Sequence, residues 1–312
     1  MKKYDIIALG EILIDFIPDG FDADGDSRFI RKAGGAPFNC LAAAAKAGLS
    51  TAFIGKVGDD IHGRFLLNTV KDAGVDTSGI IIDAEHNTTL AFVELDENGD
   101  RDFSFYRSSG ADRFIETKDI APEMIKNSAV FHFGSLSLTD EPARSATDYA
   151  VKLAKECGCI ITYDPNYRAP LWQDEKSAVE QMGRLIGYVD ICKMSVEEIQ
   201  MITGEQNLEK AVEIITGKGV SIVLVTDGPN GAYAFFGGES VHIPAYEVEV
   251  ADTTGAGDIF TGTFISSLLK SGKKISELTF ADVEEFTRKA VYISSLSTQR
   301  HGALASIKEI II

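Results

Sequence analysis

The sequence predicts an α/β fold, a mostly parallel sheet flanked by helices, with a small β-sheet lid. Three observations carry this expectation. Short Ile/Val-rich runs alternate with longer segments of helical period along most of the chain, the pattern of a parallel sheet covered on both faces. Two stretches, "EILIDFIPDG" and "TTLAFVELDENGDRDFSFYR", alternate apolar and polar residues instead, as a one-sided sheet does. No Pro/Ser-rich linker, low-complexity tract or repeat separates these pieces, which argues for one body rather than strung modules.

Taken in order, "YDIIALG" is a strand, "APFNCLAAAAKAG" a helix, "STAFIGKVG" a strand and "IHGRFLLNTVKDAG" a helix. Then come "AVFHFGS" (strand), "EPARSATDYAVKLAKECG" (helix), "CIITYDPN" (strand) and "SAVEQMGRLIGY" (helix). "VDICKMS" (strand), "NLEKAVEIITGKG" (helix) and "SIVLVTDG" (strand) follow. "AYEVEV" alternates like a further strand, and a helix opens after "ADTTGAG", with Ile259, Phe260, Thr263, Phe264, Ser267 and Leu268 at helical spacing. The second alternating stretch is a hairpin turning at Glu97–Asn98–Gly99–Asp100. The expected division is a core of residues 1–11, 35–86 and 108–312 and a β lid of 12–34 and 87–107. A lid over a reaction site serves to exclude water.

Composition narrows the function. Thirty basic against 47 acidic residues in 312 give a net charge of −17, which disfavours nucleic acid and anionic membranes, since both reward clustered Lys and Arg. Cys40, Cys157, Cys159 and Cys192 are too few and too irregular for a disulfide framework or a zinc site. The five histidines, at 62, 86, 132, 242 and 301, make no metal-ligand spacing and read as structural or surface residues. Glu11 and Asp15 interrupt the apolar start, so a signal peptide is not expected, and a cytoplasmic location is.

The stretch "VADTTGAGDIFTGTF" carries the strongest chemical signal. Asp258 falls in a first helical turn, where backbone N–H groups lack partners and the macrodipole is positive. A dipole-complementing acid would explain it, and so would a phosphate site with a carboxylate held beside it. No P-loop, dinucleotide fingerprint or protein-kinase set occurs. Phosphate binding would then use a helix N-terminus without a lysine cradle, with Gly255 and Gly257 allowing close approach of the backbone.

Here a resemblance decides. "AGGAPFN" at 33–39, "IGKVGDDIHG" at 54–63 and "DTTGAGDIFTGTF" at 252–264 resemble the signatures of the ribokinase-like (PfkB) family of sugar kinases. "FYRSSGAD", "GSLSLTDEP", "YDPNYRAPLW" and "KMSVEEIQMITG" are similar to its fructokinase branch, and the likeness runs from residue 4 to about residue 306. The resemblance implies a ribokinase-like fold and Asp258 as the base that takes the sugar hydroxyl proton. Gly255, Ala256 and Gly257 would form the anion hole, with Arg168 near the transferring phosphate. It places Asp15, Gly34, Gly35, Asn39, Tyr106 and Arg107 at the sugar, and Ser195, Thr226, Gly228 and Gly231 at ATP. Glu198 would organise Mg²⁺ through water, although Ser195 departs from the family's Asn at the start of that motif. Asp252 and Thr254 resemble a monovalent-cation (K⁺) loop; turn capping explains them equally well.

The expectation is an ATP- and Mg²⁺-dependent sugar kinase, a fructokinase making fructose 6-phosphate, acting as a monomer or homodimer. Within the family, the rivals are a 2-keto-3-deoxygluconate kinase and an aminoimidazole riboside or other nucleoside kinase. A non-catalytic sensor would have little use for Asp258 in its glycine turn, and a dinucleotide oxidoreductase lacks its fingerprint.

Overall fold

Alternation along the strands decides which side of the main sheet each helix covers. The computed structural model describes residues 2–95, 101–310 and 312; the expected turn at Glu97–Asn98–Gly99–Asp100 lies outside them. The first half runs β1 (Tyr4–Leu9), β2 (Leu13–Phe21), β3 (Ser27–Gly34), α1 (Ala36–Lys46), β4 (Thr51–Gly58), α2 (Ile61–Asp72), β5 (Val75–Asp83), β6 (Leu90–Leu95) and β7 (Arg101–Tyr106). Next come α3 (Pro122–Lys126), β8 (Ser128–Gly134), α4 (Ala143–Glu156), β9 (Ile160–Asp164), α5 (Glu175–Arg184) and β10 (Ile191–Ser195). The chain continues through α6 (Val196–Thr203), α7 (Leu208–Thr216), β11 (Ile222–Thr226), β12 (Ala232–Phe236) and β13 (Glu239–Ile243). It ends with α8 (Ala256–Ser271), α9 (Phe280–Ser297) and α10 (Ala303–Glu309).

Nine strands form the main sheet in the order β13-β12-β11-β10-β9-β8-β1-β4-β5. All neighbours are parallel except the terminal pairs β11–β12 and β12–β13. Ile7, Leu9, Phe131 and Phe133 pack on one face with α3 to α7. Ile6, Ala8 and Val130 pack on the other with α1, α2, α8 and α10, and Ile191, Ile222 and Leu224 continue that face under α8 and α9. The ribokinase-like expectation holds, including the separate lid sheet, whose order is β3-β2-β6-β7.

Several elements differ from the sequence reading. β3, β5, β13, α9 and α10 were not anticipated; β3 and β5 carry Ser, Arg, Lys, Thr and Gly among their apolar residues. "AYEVEV" is not a strand. β13 is the sheet's edge, paired among the described residues with β12, and the segment after it leaves the sheet and does not add a further strand. Its backbone turns instead to the end of α9, with Tyr246 N donating to Ser295 Oγ and Ala251 N to the Thr298 carbonyl. Alternation without a ladder partner does not make a strand. α8 is buried nearly all round rather than on one stripe, because it lies between the sheet, α1 and α9.

The chain crosses between core and lid four times, and a hydrogen bond ties the first two crossings together. Glu11, between β1 and β2, accepts from the Ala36 N–H at 2.9 Å, where β3 returns into α1. Burial pushes the Glu11 carboxyl up to about 7. α1 and α8 approach closely at Gly262, where a Cβ would stand 2.4 Å from the Cys40 carbonyl oxygen. That contact sets the distance between the two helix N-termini. No helix among the described residues is long and apolar enough to cross a membrane.

Candidate active site

The N-terminus of α8 opens at the carboxyl ends of β9 and β10, the edge where parallel α/β sheets bind ligands. A cleft of about 770 Å³ there is lined by Arg168, Lys193, Ser195, Glu198, Thr254, Gly255, Gly257 and Asp258, among others. Gly255 enters the helix at φ 77°, a left-handed conformation in which a Cβ would also meet that of Ala303 at 2.3 Å. The Gly257 and Asp258 N–H groups belong to the first turn and have no intrahelical acceptor, while the Ala256 N–H donates to the Thr253 carbonyl at 3.2 Å.

Asp258 is 9% exposed. Its Oδ2 accepts from Asn39 Nδ2 at 2.8 Å, across from the first turn of α1. The Asn39 Oδ1 is buried and has no hydrogen-bond partner among the described residues. An acceptor in that state costs about 1–3 kcal/mol unless something donates to it. Burial, and then the charge of Asp164, push the Asp258 carboxyl up to about 6; Asn39, Lys193 and Arg168 oppose the rise.

A lysine-free anion site was expected, and the structure corrects that. Asp164 ends β9, and Lys193 is the central residue of the adjacent strand β10. Cys192 pairs with Tyr163, so the next residues stand side by side on the α8 face. Lys193 Nζ is 3.1 Å from Asp164 Oδ2, and Thr261 on α8 donates to the same oxygen at 3.3 Å. A Cβ at Gly257 would lie 2.8 Å from that ammonium. Burial works against the charged lysine, but Asp164, Glu198 and Asp258 outweigh it and its pKa is raised. The sequence signal was present: a lysine inside the apolar strand "DICKMS" needs a buried partner.

Arg168 follows β9 and lines the cleft, its Nη1 donating to the Tyr167 carbonyl at 2.9 Å. Glu198 accepts from Tyr167 N at 2.6 Å and from Ser195 N at 2.7 Å. Ser195 caps α6 in return, accepting from Glu198 N at 3.2 Å. Glu198 is therefore a helix-start acid that also clamps the Arg168 loop. Burial raises its pKa, and Lys193 works in the opposite direction. No cluster of three or more His, Cys, Asp or Glu able to hold a metal occurs among the described residues. Asp252 is buried and accepts from Thr254 N at 2.6 Å and Gly302 N at 2.7 Å, contacts that cap the turn before α8.

Thr226 ends β11 beside Ser195. Gly228 lies in the exposed turn that follows, and Gly231 enters β12 against the Ile243 carbonyl. On the lid, Asp15 is half-buried and lies against Gly34, where a Cβ would stand 2.1 Å from its Oδ2. Gly35 passes beside the Glu11 carbonyl.

Two sugar-side expectations change. Asp15 pairs with Ala91, and Ala91 with Phe105, so these three share a face. Tyr106 occupies the opposite face, where its ring meets Phe92 and Phe92 stacks on Phe16. One residue along a strand reverses the side, and the sequence carries no register. Arg107 is buried and donates to Asp112, Thr139 Oγ1 and the Leu136 carbonyl. It holds loops together and is not open for a ligand carboxylate. The cysteines are all free, and His132 is a buried ring bonded to Thr162.

Comparison with known proteins agrees with this geometry. Residues 3–310 match the pfkB family carbohydrate kinases. A probable fructokinase-5 of Arabidopsis thaliana is 38% identical over 305 residues, covering 97% of this chain and 94% of that one. The structure of a Xylella fastidiosa fructokinase with bound ATP is similar at a TM-score of 0.90 and 28% identity, covering 98% and 95% of the two chains. A Vibrio cholerae fructokinase double mutant, in its fructose, ADP and potassium ion bound form, gives 0.88 and 30%, covering 98% and 96%. The chain belongs to the PfkB carbohydrate kinase family and is a phosphotransferase, fructokinase-like in its relatives.

The raised Asp258 pKa has a consequence for stability. Its folded value, about 6, exceeds the ordinary 3.8, so the protonated form is favoured by folding. That contribution is complete below about pH 4 and is lost as pH rises through about 6. Asp258→Asn should therefore be more stable than the parent at pH 8, by about 1–3 kcal/mol, with the gap closing near pH 4. Thermal melts at the two pH values check this; a variant less stable at pH 8 contradicts it.

Proposed function

We propose that the protein is an ATP- and Mg²⁺-dependent fructokinase that converts D-fructose to fructose 6-phosphate. The observation that carries the reading is the buried Asp258 carboxylate in the first turn of α8, bonded to an Asn39 amide whose own oxygen lacks a donor. One sugar hydroxyl supplies that donor, and the reacting hydroxyl gives its proton to Asp258. The fructokinase relatives support the choice of sugar.

In the proposed reaction the 6-hydroxyl oxygen bonds to the γ-phosphorus as the bond to the β–γ bridging oxygen breaks. ADP leaves with that electron pair, and the hydroxyl proton passes to Asp258. The N–H groups at the start of α8 stabilise the charge on the moving phosphoryl, and Arg168 adds a guanidinium. Asp15, Gly34, Gly35 and Asn39 hold the sugar. Ser195, Thr226, Gly228 and Gly231 face the nucleotide, and Glu198 orients waters of the Mg²⁺ shell. Residues 12–34 and 87–107 act as a lid that closes over the core of 1–11, 35–86 and 108–312. Phe105 replaces Tyr106 and Arg107 as the sugar-side contact of β7, because it shares the Asp15 face.

Asp258→Asn should lower kcat roughly 10²–10⁴-fold with a smaller change in substrate affinity. The parent's kcat/KM should fall below about pH 6, where the base becomes protonated. Retention of a third of kcat, or an acid limb near pH 4, removes Asp258 from the base role.

Asp15 also bears on the sugar. Near it, a ligand carboxylate would be repelled by about 1–4 kcal/mol, and Arg107 is engaged elsewhere. Fructose should exceed 2-keto-3-deoxygluconate at least about tenfold in kcat/KM, a difference of about 1.4 kcal/mol. Initial rates at saturating Mg-ATP decide this, and a preference for the sugar acid reverses the assignment. The preferred sugar should also slow hydrogen exchange in residues 12–18 as the lid closes.

The loop at Asp252 and Thr254 is proposed to hold K⁺ beside the anion hole. The potassium ion named with the Vibrio cholerae protein supports it. K⁺ should then activate relative to an inert organic cation, and equal rates at matched ionic strength refute it.

A further inference from the structure

We propose that Lys193 is a catalytic residue of this kinase, its ammonium contacting the γ-phosphoryl group and Asp164 holding it in place. The inference rests on the kinase site described above and extends it to a residue on the sheet beneath the helix.

Position comes first. Lys193 is the central residue of β10, on the face covered by α8, and its Nζ lies under Gly257, the middle residue of the anion turn. Glycine at 257 is what leaves room for it, since a Cβ there would stand 2.8 Å from the ammonium. The same side chain lines the cleft together with Asp258 and Arg168.

Charge comes second. Among the described residues lining the cleft, Glu175, Glu197, Glu198 and Asp258 are acidic, and Arg168 and Lys193 are the cations. A triphosphate entering that field needs positive charge fixed close to the transfer point. Arg168 approaches from a loop. Lys193 is carried by a central strand, and its ion pair with Asp164 is braced by Thr261 of the same helix that bears Asp258. Cation and base are thus referred to one rigid frame, which is what electrostatic stabilisation of a moving phosphoryl requires.

A pair serving only stability would explain the burial but not the location, because apolar residues of similar volume serve a core at least as well. In the transfer, Lys193 neither gains nor loses a bond. The hydroxyl oxygen bonds to phosphorus, ADP departs with the bridging electron pair, and the proton goes to Asp258, while the ammonium follows the phosphoryl oxygens.

The test compares the parent with Lys193→Met and with Lys193→Met/Asp164→Asn. The single change leaves Asp164 buried without its cation and is expected to lower the melting temperature. The double change removes both charges and should melt close to the parent. Turnover of Mg-ATP by the parent across a sugar panel is measured first, so a wrong sugar or an inactive protein is recognised separately. Calorimetry with ADP and with a non-hydrolysable ATP analogue needs no sugar. The proposal expects the double variant to bind ADP within about threefold of the parent. It expects a loss of at least about tenfold for the analogue relative to ADP, and a fall in kcat of roughly 10²–10³. A double variant with parental kcat, or with an unchanged ratio of analogue to ADP affinity, overturns the proposal and makes the pair structural. If the double variant does not melt near the parent, the analogue-to-ADP ratio of the folded single variant decides in the same way.

Discussion

A 2.8 Å hydrogen bond from the Asn39 amide to the Asp258 carboxylate joins two helix N-termini 219 residues apart, and the site is organised around it. A hydrogen bond to an ionised group is worth about 1.5–3 kcal/mol, but its geometric consequence is larger. It requires α1 and α8 to start side by side, which Gly262 permits by letting α8 lie against the Cys40 carbonyl. α1 follows directly from the lid strand β3, and α8 from the glycine turn. The lid side and the glycine-turn side therefore meet at this bond.

Beneath it lies a second layer of organisation, made by the sheet. β9 and β10 bring Asp164 and Lys193 to the same edge, and the pair stands under the first turn of α8. Burial of three carboxylates and one ammonium within a single edge is electrostatically expensive. The raised pKa values of Asp258 and Glu198 express that expense. A carboxylate held near 6 is a stronger proton acceptor than an ordinary one and still ionised at neutral pH. The strain on charge and the proposed catalytic use of Asp258 are thus two aspects of one arrangement.

Several side chains named from motifs have structural work in the fold. Glu198 closes a capping box and fixes the Tyr167 N–H, so it positions the Arg168 loop whatever else it binds. Asp252 ties the turn before α8 to the Gly302 N–H at the entry to α10. Arg107 secures the end of β7 to Asp112 and to the loop after β8. Such residues combine roles because a loop at a site has few other anchors.

Local pattern alone was enough for the architecture: alternating apolar runs and helical periods identify a covered parallel sheet, and "TTGAGD" before an apolar helix marks a helix start with an acid in its first turn, open between capping and phosphate binding until the family motifs are read. These properties are set by residues within one element, and the family motifs extend them to named positions. What the tertiary structure decided depends on which elements become neighbours. The side of β7 that faces Asp15 follows from strand register, so Phe105 rather than Tyr106 stands there. The pairing of Lys193 with Asp164 follows from sheet order, and no local spacing contains it. "AYEVEV" has the alternation of a strand but leaves the sheet after β13 and bonds to the end of α9. Periodicity is a property of the chain; register, apposition and the availability of a partner arise only when distant segments pack, because only then do their side chains share a dielectric and a set of hydrogen bonds.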